Sequence, residues 1–382
     1  MNDSSKNAPV SLLDEFDAPE LLNLLVDGAY ITDVDRRIVF WNAAAERITG
    51  WRAEDVVGRT CFDNILVHVD KDGHPLCGQE HCPLHRSIVT GQPSSEPLVV
   101  FAQHKRGHRT PVEVTVSPVR NHAGRVIGGI EMFRDLTASM QDAMRAKRIQ
   151  EMAVACALPE DDRVRFEMRC QQREVVGGDF YRIERLNPDC YAVLVADAMG
   201  HGVAAALHTM QLRSLWDDHR VALDSPARFV GLINQRLHDL VRGEGYFGTA
   251  VYATYDAATG DLRSVRAGHP APLLFRAAGA VESVGSPNPA LGMRPDSPYR
   301  ETVVQLGIGD AVLLFTDGAT EVGDGSEKDL GRAGLAELAR KQDAGSDPAG
   351  FHVEQLEKQL LQFSDQIHLA DDLTLVKIRR ER

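Results

Sequence analysis

The stretches Val176-Gly177-Gly178-Asp179-Phe180-Tyr181 and Ala196-Asp197-Ala198-Met199-Gly200-His201-Gly202 each set an aspartate among glycines at the end of a short apolar run. Asp317, in Leu313-Leu314-Phe315-Thr316-Asp317-Gly318, follows another such run, and Asp371, in Asp371-Asp372-Leu373-Thr374, stands just before one. A short apolar run bounded by turn residues reads as a buried strand. Asp179, Asp197, Asp317 and Asp371 are therefore expected to emerge together at one edge of a sheet. Converging carboxylates repel one another unless cations lie between them. Such oxygen ligands suit hard divalent ions such as Mg²⁺ or Mn²⁺, which keep several waters and activate one toward phosphate. The pattern points to two-metal phosphoester hydrolysis.

At 382 residues the chain is longer than one ordinary domain, and two domains suit its organisation. A hydrophobic content of 43% with 25% charged residues is that of a globular protein. The formal net charge of −13 argues against a nucleic-acid partner, which selects for a basic patch. Residues 1–10 lack a basic segment followed by an apolar core, and no apolar run approaches the length of a membrane span. The six cysteines are scattered over both halves, as expected in a reducing compartment. A cytoplasmic protein with no membrane association is expected.

Residues 21–137 alternate strand-like runs with turns. Runs at 29–34 and 37–41 precede a helical stretch at 43–49. Runs at 97–104, 110–119 and 126–133, parted by turns at 105–107 and 121–124, read as an antiparallel meander. The result is a five-stranded sheet with helices on one face. The phrases Ile31-Thr32-Asp33-Val34-Asp35-Arg36-Arg37-Ile38-Val39-Phe40-Trp41-Asn42 and Gly128-Gly129-Ile130-Glu131-Met132-Phe133-Arg134-Asp135-Leu136-Thr137 resemble a PAS sensory domain over about 115 residues, with Asn42 and residues 135–137 at typical positions. From 134 to 158 there is no Gly or Pro, and Leu136, Met140, Ala143, Met144, Ile149, Met152, Ala153 and Cys156 recur mostly at spacings of three or four. This is a helix with one apolar stripe. It can pair with its twin in a homodimer or lie on either domain. Beyond it, strands are expected at 191–196, 249–255 and 311–315, helices at 203–217, 226–241 and 351–362, and surface loops at 323–329 and 341–350.

Gly177-Gly178-Asp179-Phe180-Tyr181, Asp197-Ala198-Met199-Gly200-His201-Gly202, Ala267-Gly268-His269-Pro270, Leu291-Gly292, Gly309-Asp310, Thr316-Asp317-Gly318 and Asp371-Asp372-Leu373-Thr374 occur in the order of the SpoIIE-like PPM phosphatases, which they resemble over about 200 residues. That family consists of metal-dependent serine/threonine protein phosphatases. The resemblance implies a sandwich of two β-sheets flanked by helices and an α+β fold class overall. The chain then divides into a polar tail at 1–15, a PAS domain at 16–137, a helical linker at 138–158 and a phosphatase domain at 159–382. By the same resemblance Asp179 and Asp197 are central ligands of two Mn²⁺ or Mg²⁺ ions, with the Ala198 carbonyl beside them and Asp317 and Asp371 completing the second ion's shell. His201 has two open roles, as donor or acid toward phosphate or as packing. His269 reads as structural, and Asp372 either binds an outer ion or orients Asp371. Gly-Gly-Asp-Phe loosely resembles the signature of diguanylate cyclases, but Phe180 stands where their second acid belongs and the surrounding motifs are absent, and the chain has no phosphate loop or kinase motif.

Cys61, His68, His74, Cys77, His81, Cys82 and His85 form a cluster in the sensor half. Thiolates and imidazoles hold zinc, iron or iron–sulfur centres, so Cys61, Cys77, Cys82 and His81 are candidate cofactor ligands. A metal, a haem, a thiol switch and ordinary packing all remain open, because no paired C-x-x-C is present. The reading is a PAS-regulated phosphatase acting on phosphoserine or phosphothreonine of a partner protein. The resemblance implies a STAS-type anti-anti-sigma factor as that partner. The alternatives are a non-catalytic scaffold with a degenerate phosphatase fold and a small-molecule phosphoesterase.

Overall fold

The computed structural model describes residues 17–71, 73–78, 81–200, 202–240, 248–323, 329–342, 349–363 and 371–382. The chain forms two compact units that divide after Asp142. In the first, α1 (Ala18–Asn23) leads to β1 (Gly28–Asp33), β2 (Ile38–Trp41), α2 (Ala43–Thr49), α3 (Ala53–Val56), α4 (Pro83–Thr90), β3 (Leu98–Gln103), β4 (Arg109–Arg120) and β5 (Val126–Asp135). These strands make one antiparallel sheet in the order β2-β1-β5-β4-β3. Alternate residues of β4 are buried at Thr110, Val112, Val114 and Val116, the period of a strand with one covered face. The three valines pack with Tyr30, Trp41, Leu84, Ile88 and Phe133 in one core. Asn42 is fully buried because all its amide atoms are used. Its Oδ1 accepts from the backbone N–H groups of Ala29 and Ala45 at 2.9 and 2.8 Å, while Nδ2 donates to the Leu22 and Asp27 carbonyls. It thereby caps α2 and ties β1 to the chain that enters it.

The helix α5 (Thr137–Val154) runs through the division between the units. The second unit continues with β6 (Val164–Gln171), β7 (Asp179–Arg185), β8 (Cys190–Ala198), α6 (Gly202–Asp218), α7 (Pro226–Leu240), β9 (Gly248–Asp256), β10 (Asp261–Ala267), β11 (Leu273–Phe275), β12 (Val281–Ser283), β13 (Pro287–Asn288), β14 (Thr302–Gln305), β15 (Ala311–Phe315), α8 (Gly331–Lys341), α9 (Val353–Phe363) and β16 (Leu373–Arg380). One sheet runs β13-β10-β9-β8-β7 with β14 on β10, and the other β12-β11-β15-β16-β6. Val193, Val195 and Val251 of the first sheet meet Val312, Leu314, Val376 and Ile378 of the second in a shared core. The intervening residues Leu194, Ala196 and Tyr252 face a second core with Trp216 of α6 and Phe229 and Ile233 of α7. Likewise Leu313, Phe315 and Leu375 pack against Leu335 of α8 and Leu356 and Leu360 of α9. Both faces of each central strand are covered, so these strands read as continuous apolar runs rather than alternating ones. Most of the loops expected at 323–329 and 341–350 lies outside the described residues. No helix among the described residues is long and apolar enough to cross a membrane.

The apolar stripe expected on α5 is divided. Gln150, a polar residue, is the buried one at 1% exposure, while Met144, Ile149 and Met152 are exposed. The Gln150 Nε2 donates to the Gly177 carbonyl and to Thr209 Oγ1, both at 2.8 Å, and its Oε1 accepts from Gln172. The Ala153 carbonyl accepts from Arg213 of α6, and Val154 joins the core beneath α6. The end of α5 is thus docked on the second unit at the segment that precedes Asp179.

Candidate active site

Asp179 opens β7 and Asp197 nearly closes β8, and the antiparallel register sets them directly opposite each other. Asp317 follows β15 and Asp371 precedes β16, again at one end of an antiparallel pair. The acids therefore come two from each sheet and meet across the end of the sandwich. This corrects the expectation of a single sheet edge, which runs of apolar residues cannot distinguish from two stacked sheets. Asp197, Asp317 and Asp371 line a cleft of about 290 Å³ with Arg173, Met199, Gly200, Gly248 and Thr249. His201 lies outside the described residues.

Asp179 is buried at 4% exposure. Its Oδ2 accepts from Thr316 Oγ1 at 2.8 Å, and that hydroxyl accepts in turn from the Thr374 N–H at 2.9 Å. Its Oδ1 has no partner, a costly state for a buried carboxylate unless a cation or proton meets it. Burial, followed by the charge of Asp197, raises the Asp179 pKa. Burial and then Asp317 and Asp371 push Asp197 up to about 7, and burial with Asp371 raises Asp317. Carboxylates raised in this way take up protons more readily than free ones, and bound cations would replace those protons.

Asp372 fixes backbone. Its Oδ1 accepts from the Arg173 N–H at 2.7 Å and its Oδ2 from the Gly178 N–H at 2.6 Å, while its own N–H donates to Asp371 Oδ1. The Ala198 carbonyl lies against Gly178, where a Cβ would meet it at 2.7 Å. His269 is 2% exposed, shares a 2.7 Å hydrogen bond with Thr249 Oγ1, and is driven down to about 3 by burial, so it stays neutral as a structural part of the wall.

The oxygen donors, the unpartnered Asp179 Oδ1 and the mutually raised carboxylates fit divalent cations. Among the described residues no group of three or more His, Cys, Asp or Glu side chains is already drawn around one point. Hard ions such as Mg²⁺ need only one or two carboxylates each and fill the remaining positions with water. Arg173 and Gln150 were not singled out from sequence. Asp372, one residue from Asp371, was the available signal for Arg173, but nothing in a helical period marks Gln150.

The candidate ligands of the sensor half are arranged differently. Cys61 and Cys82 are buried, Cys77 is half-buried and all three are free thiols, but His81 is exposed. His68 Nε2 instead lies 3.7 Å from the buried Glu131 Oε1, and His74 pairs with Asp70. Burial pushes the Cys77 thiol up to about 12 and Cys61 upward too, so both are protonated at neutral pH while no metal is bound. The three thiols thus lie within the sensor unit while His81 lies at its surface, and a cofactor held by them stands as a proposal.

Residues 187–381 match the family model of Stage II sporulation protein E (SpoIIE), and residues 22–141 match the PAS fold. Among curated proteins the chain is similar to phosphoserine phosphatase RsbP of Bacillus subtilis, at 26% identity over 46% of this chain and 44% of that protein. It thus spans less than half the length of that relative. It is also similar to phosphoserine phosphatase RsbU of the same organism, at 24% identity over 62% of this chain and 69% of that protein. Among solved structures, the SiaA-PP2C domain of Pseudomonas aeruginosa superimposes with a TM-score of 0.54 at 25% identity, covering 64% of this chain and 99% of that domain. With half of its length matched by the family model and its carboxylates gathered at the end of a PP2C-like sandwich, the chain belongs to the SpoIIE family.

Proposed function

We propose that the chain is a PAS-regulated, divalent-metal-dependent phosphatase that hydrolyses phosphoserine or phosphothreonine on a partner protein. The observation that carries this reading is the meeting of Asp179, Asp197, Asp317 and Asp371 from two sheets, with a buried oxygen of Asp179 left unpartnered. These acids and the Ala198 carbonyl would hold two Mn²⁺ or Mg²⁺ ions. Bound ions supply an activated water and neutralise the phosphoryl group. The chain's own residues do the positioning. Thr316 orients Asp179, and Asp372 pins the backbone on either side of the approach to Gly178. The exposed Arg173 guanidinium at the cleft offers the planar donor fork that suits a phosphoryl oxygen pair.

A protein substrate is supported by the naming of both RsbP and RsbU as phosphoserine phosphatases. We assign a STAS-type anti-anti-sigma factor as the partner, whose dephosphorylation frees a sigma factor. Regulation would reach the site through α5, where Gln150 holds the Gly177 carbonyl two residues before Asp179. The exposed Met144, Ile149 and Met152 suit pairing of α5 with its twin in a homodimer. The test is Mn²⁺-dependent phosphate release from a phosphoserine peptide and from a chromogenic phosphate ester, by wild type and Asp197→Ala. A loss of about a thousandfold in the variant, about 4 kcal/mol of barrier, is expected on both. Activity on the ester alone would indicate a small-molecule phosphoesterase, and activity on neither a scaffold.

A further inference from the structure

Arg266, on β10, and Arg332, in the first turn of α8, line a second cleft of about 370 Å³ that shares Asp317 with the metal cleft. Arg266 is half-buried and Arg332 exposed. Burial and then the Arg332 charge lower the Arg266 pKa, and both side chains line the same cleft. Some other arginines of this unit find carboxylates: Arg163 with Asp161 and Asp189, Arg169 with Glu354, and Arg276 with Asp310 and Glu282. Among the described residues neither Arg266 nor Arg332 forms an ion pair or a side-chain hydrogen bond, although Glu321 and Asp329 line the same cleft. These two unpaired arginines line one cleft together with Asp317, Glu321 and Asp329, and their guanidinium forks are donors open to a further anion.

We propose that Arg266 and Arg332 form a specificity site for a second anionic group of the substrate, a carboxylate or another phosphate, close in sequence to the phosphorylated side chain. The inference rests on the phosphatase reading and extends it to substrate selection. Extended chain advances about 3.3 Å per residue. An anion two or three residues from the phosphoserine therefore reaches about 7–10 Å, and the two clefts adjoin at Asp317. The alternative, that the arginines only balance Glu321 and Asp329 at longer range, gives no preference among substrates.

The full chain, with Mn²⁺, is assayed on a series of phosphoserine peptides carrying alanine, aspartate, a second phosphoserine or lysine two or three residues away. Wild type is expected to show a higher kcat/KM on the aspartate and doubly phosphorylated peptides than on the alanine peptide, with the preference weakening as salt is added. The ratio of these two peptide arms reports whether the site favours carboxylate or phosphate. Arg332→Glu, at an exposed position that folding tolerates, is expected to lower the aspartate-to-alanine ratio about tenfold and shift preference to the lysine peptide. Arg266→Gln is expected to lower the same ratio. A wild type indifferent to the flanking charge, or variants with an unchanged ratio, would overturn the proposal while leaving the phosphatase reading intact. Failure of wild type on every phosphopeptide would overturn both.

Discussion

Substituting Gly178→Ala tests how tightly the candidate site depends on backbone approach. Gly178 does not occupy the left-handed region, so alanine is acceptable to its backbone and the effect is one of space alone. A Cβ would stand 2.7 Å from the Ala198 carbonyl oxygen, 3.2 Å from Ala205 Cβ and 3.3 Å from the Gly200 carbonyl oxygen. The first of these is backbone held by the same residue, since the Ala198 N–H donates to the Gly178 carbonyl at 3.0 Å. A carbon settles at about 3.3 Å or more from a carbonyl oxygen, so the start of β7 and the end of β8 must part by about 0.6 Å. Overpacking of this kind costs about 1–3 kcal/mol, and in a domain of this size each kilocalorie lowers Tm by about 2–4 °C. Activity is more sensitive, because Asp179, Asp197 and the Ala198 carbonyl all ride on the two strands, and a displacement near 1 Å costs about a hundredfold. Thermal melting and Mn²⁺-dependent phosphate release, the latter well below Tm, are measured together. We expect a fully folded variant with activity reduced about ten- to a hundredfold. A folded variant within twofold of wild type would refute the assignment of these strand ends to the site.

Other expectations follow from charge and hydrogen bonding. Without metal, folded Asp197 keeps its proton to about pH 7, whereas the unfolded chain releases it near pH 4. The folded state then binds more protons across that window, so metal-free stability falls as pH rises through it. Mn²⁺ takes the place of those protons, and its Tm increment is expected to be larger near pH 7.5 than near pH 5.5; equal increments would contradict this. Gln150→Leu leaves the Gly177 carbonyl and Thr209 hydroxyl without their buried donor, at a cost of about 1–3 kcal/mol. Lower Tm and lower phosphatase activity are expected from it, and a variant unchanged in both would show that α5 exerts no hold on the site. In the sensor unit, burial raises Glu131 to about 8, so its contribution is likewise lost as pH rises from the unfolded value near 4. Glu131→Gln should raise the melting temperature of that unit at pH 8 and lose the advantage toward pH 5. His68, lowered to about 4 by burial, acts in the opposite direction as pH falls below its ordinary value and is common to both proteins. A lower melting temperature for the variant at pH 8 would count against a protonated Glu131.

Where side-chain period and burial agree, sequence locates elements closely. The strands at 311–315 and the helix at 43–49 have the bounds expected of them. The stripe of α5 did not reveal its contact with the second unit, because Met144, Ile149 and Met152 are exposed while the buried contact is made by an amide. Hydrophobic period reports which residues resemble a core, not which polar atoms find partners there. The aspartates were legible because each stands at the end of an apolar run, three of them near glycines. Their division between two sheets was not, since β15 and β16 are as apolar as β8. Arg266 and Arg332 carry no local pattern, and their proximity arises only when β10 and α8 are brought to the same wall.

Calorimetric titration of the full chain with Mn²⁺ bears most directly on the carboxylate site. Two equivalents are expected for wild type, with Asp179→Ala and Asp197→Ala greatly weakening binding and Asp317→Ala or Asp371→Ala removing one ion. No binding by wild type, or undiminished binding by Asp197→Ala, would contradict a site built from these four acids.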